Sequence, residues 1–198
     1  MIMNSSGSNH GASTSVAQGS RALKTAAANI KRSAQDPLGI YLNDHLAGAT
    51  GGLELARRVA RAGHLPAPPA QLQQFAREVA EDRDALLQMM GTLGIPVRGY
   101  KVWAAWAGEK AGRLKPNGHL ATRSPLSNLE ELELMRLGVE GKAAGWRTLR
   151  TLADRDHRLD AARLDDLISR ARRQADFLEE SRIKAARQVT DAAGTGRG

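Results

Sequence analysis

The chain has 198 residues, 41% of them hydrophobic, and a formal net charge of +8 at neutral pH, which suits one domain with tails and a sizeable core. It has no cysteine, which excludes disulfides, thiolate metal sites and a cysteine nucleophile. The opening Met-Ile-Met-Asn-Ser-Ser-Gly gathers no apolar leader and no stretch approaches the ~18 apolar residues of a membrane span, so a soluble, cytoplasmic protein is expected.

Residues 1–36 are rich in Ser, Gly, Ala and Asn and hold Arg21, Lys24, Lys31 and Arg32 against Asp36. They read as a disordered basic tail, with a transient helix near Ala22–Lys31. The first lasting helix is expected over about 38–62, entered by Pro37 and left at Gly63. Its apolar stripe is Leu38, Leu42, Leu46, Ala49, Leu53, Ala56 and Ala60. A second helix is expected over 69–93, with Leu72, Phe75, Val79, Leu86, Met90 and Leu93 on one face and Gly94 and Pro96 beyond it.

A connection of roughly 30 residues follows. It carries Arg98, Lys101, Lys110, Arg113, Lys115 and Arg123 against the single acid Glu109, and a short helix is expected over 100–112. The third helix is expected over 125–153, capped by Ser124 and opened by Pro125. The fourth is expected over 160–189, with Leu164, Leu167, Ile168, Ala171, Ala175, Leu178, Ala185 and Val189 aligned. Residues 191–198 read as a frayed tail. The domain is therefore 37–190, and its helices are close to neutral: the positive charge lies in the first tail and in the connection.

Short joints make each helix pair an antiparallel hairpin, whereas the middle connection is long enough to cross a whole bundle. Helices of ~25 residues are ~37 Å long at 1.5 Å per residue. In this the chain resembles the ferritin-like superfamily, an all-α fold whose four helices run up-down-down-up around one long crossover. A short helix inside the crossover is similar to the mini-ferritins that protect DNA. The stretches Tyr41-Leu-Asn-Asp-His-Leu-Ala-Gly-Ala-Thr50, Glu109-Lys-Ala-Gly-Arg-Leu-Lys-Pro-Asn-Gly118 and Arg136-Leu-Gly-Val-Glu-Gly-Lys-Ala-Ala-Gly-Trp146 resemble a set of bacterial bundle proteins to which no activity is attached.

A ferritin-like metal site takes one Glu from each of two helices and Glu-x-x-His from the other two. None of the five histidines, at 10, 45, 64, 119 and 157, follows a Glu by three. At ~100° per residue, His45 falls inside its helix's apolar stripe. Asp82 and Arg83 flank the stripe centre of the second helix, and Gln174 is similarly placed on the fourth. One reading is a carboxylate–histidine di-metal site for iron or manganese, from His45, Glu78, Asp82 and Glu140. The preferred reading is a structural polar layer of His45, Asp82, Arg83 and Gln174, in which Asp82 pairs with Arg83 or His45. Glu140 lines up with Glu133, Arg136 and Arg147 on a charged face suited to surface pairs.

Gly48, Gly51 and Gly52 interrupt the first helix and Gly138, Gly141 and Gly145 the third, each at a cost of ~1 kcal/mol relative to Ala. Close approach of these two helices, above all at Gly48, Gly52, Gly141 and Gly145, is the preferred explanation. A homodimer seam or a ligand slot is the alternative. In the connection, Trp103 and Trp106 stand among Lys110, Arg113 and Lys115. The preferred reading is that the tryptophans cap one side of the bundle while the cations face water, and the alternative is a site for nucleic acid or an anionic membrane surface. No Ser elbow, phosphate loop or His-Glu-x-x-His occurs, and no small-molecule substrate is identifiable. Asp154-Arg-Asp-His157 reads as turn and cap chemistry. The function expected is a non-enzymatic bundle protein, without a cofactor or with a degenerate di-metal site. A homo-oligomer and a polyanionic partner are the associations considered.

Overall fold

The structure, a computed structural model, describes residues 36–98 and 125–195. Contacts divide the chain after Ile40. In the first unit only residues 36–40 are described: Asp36 accepts the Leu38 amide on Oδ1 at 3.2 Å and the Ile40 amide on its carbonyl at 3.0 Å. All else below belongs to the second unit, from Tyr41 onward. The expected tail, the crossover helix and the Ser124 cap lie outside the described residues.

Four helices account for nearly all the described chain: α1 Pro37–Ala62, α2 Pro69–Leu93, α3 Pro125–Ala153 and α4 Ala161–Thr195. No strand occurs among the described residues. The ends follow the local chemistry. Gly94 closes α2 in the left-handed region at φ 71°, where its N–H and that of Ile95 return to the carbonyls of Gly91 and Met90. An L side chain there would be strained. Asp160 precedes α4 and accepts the Arg163 amide on Oδ1 at 3.1 Å, a side-chain N-cap. Between α3 and α4, Asp156 binds the Arg158 amide and guanidinium, which hold its carboxyl down to about 2. The turn chemistry expected of this segment is what it performs. α4 continues beyond the expected Val189 to Thr195 because Asp191-Ala-Ala offers nothing that stops a helix.

The periodic stripes turn inward. Leu42, Leu53, Ala56 and Val59 of α1, Leu72, Leu86 and Met90 of α2, Leu132, Met135 and Leu149 of α3, and Leu164, Ala171, Leu178 and Ala185 of α4 are buried together. At ~25 cal/mol per Å² of apolar surface, burial of this kind outweighs helix propensity in holding the elements. Leu65, Ile95 and Leu159 close the ends from the joints. α3 and α4 are antiparallel, for Arg150 meets Asp165 at one end and Arg136 and Arg182 meet Glu179 and Glu133 towards the other. α2 meets α4 through Gln88–Arg163 and Glu81–Arg170, and α1 meets α3 through Tyr41–Thr148 and Arg58–Glu131. α1 meets the end of α2 through Asn43, whose amide bridges the Pro96 carbonyl and the Arg98 amide. α3 leaves Leu126, Leu134 and Leu137 exposed, against Ile40 on α1 and Ile183 on α4.

Candidate functional site

Two features stand at mid-height: a buried polar layer, and beside it a largely apolar slot. The layer is built on Asp82, 1% exposed although it is ionisable. Lys142 of α3 donates to Asp82 Oδ2 at 2.5 Å and to Gln174 Oε1 at 2.5 Å. Arg170 of α4 donates to Asp82 Oδ1 at 3.1 Å and to Glu81 at 2.9 Å. Gln174 passes its amide on to Glu78 at 2.9 Å, and Gln74 holds the other Glu78 oxygen. Asp82 is thus held by both Lys142 and Arg170, and a buried carboxylate so well bonded avoids the penalty of an unpaired charge. Burial pushes the Lys142 ammonium below its ordinary value, while Asp82 pulls it back.

The layer expected from sequence is only partly the one formed. Asp82 and Gln174 do meet. Arg83 does not join them: one residue further round α2, it reaches Thr50 at 3.2 Å and Asp84 at 3.2 Å. His45 does not join them either. It lies edge-on to Tyr41, ring centroids 4.4 Å apart, with its ring against Gly145. Burial holds its imidazole below the usual histidine range, against the opposing pull of Asp44. The pairing of Asp82 with Arg83 or His45 is therefore replaced by pairing with Lys142 and Arg170. Of the four candidate metal ligands, Glu78 and Asp82 come together, His45 stands apart, and Glu140 is on the exposed side of α3. Among the described residues no group of three His, Cys, Asp or Glu side chains is placed to hold a metal ion.

Lys142 was missed because a lysine on a helix ordinarily extends into water. Its phase was the available signal: Met135, Val139, Lys142, Trp146 and Leu149 follow one another at helical spacing, and the other four are buried.

The slot lies among α1, α2 and α3 and has a volume of about 420 Å³. Leu42, Leu55, Val79, Met135 and Leu149 form much of its wall, with Lys142, Asp82, His45 and Trp146 at its polar places. The glycines expected to bring α1 and α3 close instead line this space. A Cβ built on Gly48, Gly52, Gly138 or Gly141 would meet nothing within 4 Å. Only Gly145 is a close approach, where a Cβ would come within 3.1 Å of the His45 ring. Trp146 is 3% exposed, and its indole N–H has no acceptor among the described residues.

The polyanion-binding set Trp103, Trp106, Lys110, Arg113 and Lys115 lies outside the described residues. No helix among the described residues is long and apolar enough to cross a membrane. No protein-family model, no curated protein and no solved structure matches the chain.

Proposed function

We propose that this protein is a non-enzymatic bundle of ferritin-like, up-down-down-up topology that has exchanged a core metal centre for an internal ion pair and keeps a slot for an apolar small molecule. The topology is supported by the order of the helix contacts, since α1 with α2, α1 with α3, α2 with α4 and α3 with α4 meet in opposing register. Residues 94–124 then link two helices that run the same way, which requires a crossover.

The slot carries the functional reading. Its volume of about 420 Å³ falls in the ~300–1,000 Å³ range of small-molecule sites, which are mostly apolar with a few polar groups. Gly48, Gly52, Gly138 and Gly141 stand along it although alanine would fit there and stabilise the helices. The loss of metal chemistry is supported by Lys142, whose ammonium takes the cation's place among Asp82, Gln174 and Glu78.

The test is thermal unfolding with and without isopropylbenzene, in the wild-type protein and in Gly141→Leu, which fills the slot. A ligand that binds only the folded state raises the midpoint with its concentration. The expected result is a rise in the wild-type protein that disappears in the variant; no rise in either would overturn the receptor reading. Elemental analysis after anaerobic incubation with Fe(II) and Mn(II) tests the other half, with substoichiometric metal expected. Near-integral metal that is lost in Asp82→Asn would restore the di-metal alternative.

A further inference from the structure

We propose that α3 is a dimer seam: a second copy of this chain lies antiparallel against its exposed face, about a two-fold axis at the level of Val139. This goes beyond the slot and does not depend on what occupies it. Its first support is exposure. Among the described residues from Tyr41 onward, Leu126, Leu134 and Leu137 of α3 are 49%, 45% and 72% exposed. α4 leaves out one large apolar side chain, Ile183, and α2 none. A lone surface leucine is ordinary, but a row of them on one helix marks a contact surface.

The second is the order of side chains along that face. Glu130, Leu134, Leu137, Gly141, Ala144 and Thr148 are all exposed and follow one another at alternating steps of four and three. That is the spacing at which one helix packs along another. The stripe is ~27 Å long at 1.5 Å per residue, with its leucines in the first half and its small residues in the second. Turned end for end, a second copy sets the partner's Ala144 opposite Leu134 and the partner's Gly141 opposite Leu137, and the two-fold axis repeats both contacts. A Cβ on Gly141 would meet nothing within 4 Å, so this seat is open to a leucine. A parallel pair would set leucine on leucine at one end and glycine on glycine at the other. A face that carries knobs and seats in reversed order is complementary to itself, as an isologous contact requires.

The third is charge. Glu130 and Glu133 precede the centre of the stripe and Arg147 follows it. Arg147 is exposed without an acidic partner among the described residues, and Glu130 without a basic one. Glu133 meets Arg182 only at 3.7 Å. The antiparallel register sets the partner's Arg147 at the level of Glu131, between Glu130 and Glu133, and does so twice in the dimer. Parallel pairing would oppose acid to acid. Glu140 lies ~60° round α3 from Leu137 and stays at the rim of the contact, in water. Complementary charge of this kind fixes register and partner more than it adds affinity.

One helix face of this length is small beside the ~1,200–2,000 Å² of a stable interface, so a micromolar dissociation constant is expected. The test is sedimentation of the full chain from about 1 to about 500 μM, the range over which such a dimer forms. The mass is expected to rise from that of the 21.3 kDa chain towards twice that value. Leu137→Glu is expected to stay monomeric throughout with unchanged circular dichroism, since a side chain 72% exposed holds no core. Arg147→Glu is expected to weaken the dimer about tenfold, and Glu133→Arg added to it to bring the constant back within about threefold of wild type. None of Glu133, Leu137 and Arg147 lines the slot, so a variant that loses the dimer and still binds isopropylbenzene separates this inference from the receptor reading. A wild-type chain still monomeric at the highest concentration, as would follow if residues 99–124 lay over α3, overturns the seam. So does a dimer that survives Leu137→Glu, and so does one weakened by Arg147→Glu that the charge exchange fails to restore.

Discussion

Asp82 and Lys142 carry the sharpest consequence at the scale of single residues. A charge taken out of water is tolerated only while its partners remain, so the cost of removing one partner exceeds the worth of the pair. Asp82→Ala leaves Lys142 mostly buried with Gln174 as its remaining close partner. It is expected to lose about 3–5 kcal/mol of stability. The double variant Asp82→Leu with Lys142→Met replaces the pair by hydrocarbon of similar volume and is expected to recover most of that loss. Urea unfolding of the three proteins measures the difference. A double variant as unstable as Asp82→Ala would mean that the loss comes from packing and not from the stranded ammonium. Half of this pair was legible in sequence. Asp82 and Gln174 sit near their stripe centres and midway along their helices, which is enough to nominate a layer. Lys142 was not nominated, because its long side chain usually carries its charge to water.

Among the elements, α1 and α3 make the glycines informative. Six glycines inside two helices are conspicuous, yet a glycine that admits a neighbour and one that borders a void look alike in a sequence. The structure separates them. At Gly48 and Gly141 a methyl group meets open space, so alanine is expected to stabilise the protein by about 0.5–1 kcal/mol through helix propensity alone. At Gly145 the same methyl comes within 3.1 Å of two His45 ring atoms and 3.4 Å of Cγ. The ring root cannot swing away cheaply, and alanine there is expected to destabilise by about 1 kcal/mol or more, as overpacking does. Thermal unfolding of the three variants gives the signs. Destabilisation by Gly48→Ala and Gly141→Ala would mean that α1 and α3 lie closer than the slot requires.

For the molecule as a whole, the four helices are unequally held. α3 and α4 are tied along their length by Arg150–Asp165, Arg136–Glu179 and Arg182–Glu133 over a continuous buried seam. The part of α1 from Tyr41 to Ala62 has the slot on its inner side and glycines along its edge. Segments with fewer buried contacts open at lower free energy. Native-state amide exchange is expected to show α1 opening before α3 and α4, and a ligand in the slot is expected to slow exchange in α1 most. Equal protection of α1 and α4 in the free protein would contradict this order. Among the described residues, the four helices and all of their boundaries but the end of α4 were open to sequence reading, because each has a local cause. Proline begins α1, α2 and α3, Asp160 caps α4, and glycine closes α1 and α2.

What the sequence determined by itself is what a helix determines alone: its extent, its caps and the face it buries. The tertiary structure decided that Lys142 pairs with Asp82, that Arg83 turns to Thr50, and that five of the six glycines face space while Gly145 faces a ring. Periodicity orders residues around one axis. Which residues meet across two axes depends on the rotation and offset of each helix against its neighbours, and those are set jointly by every side chain in the core.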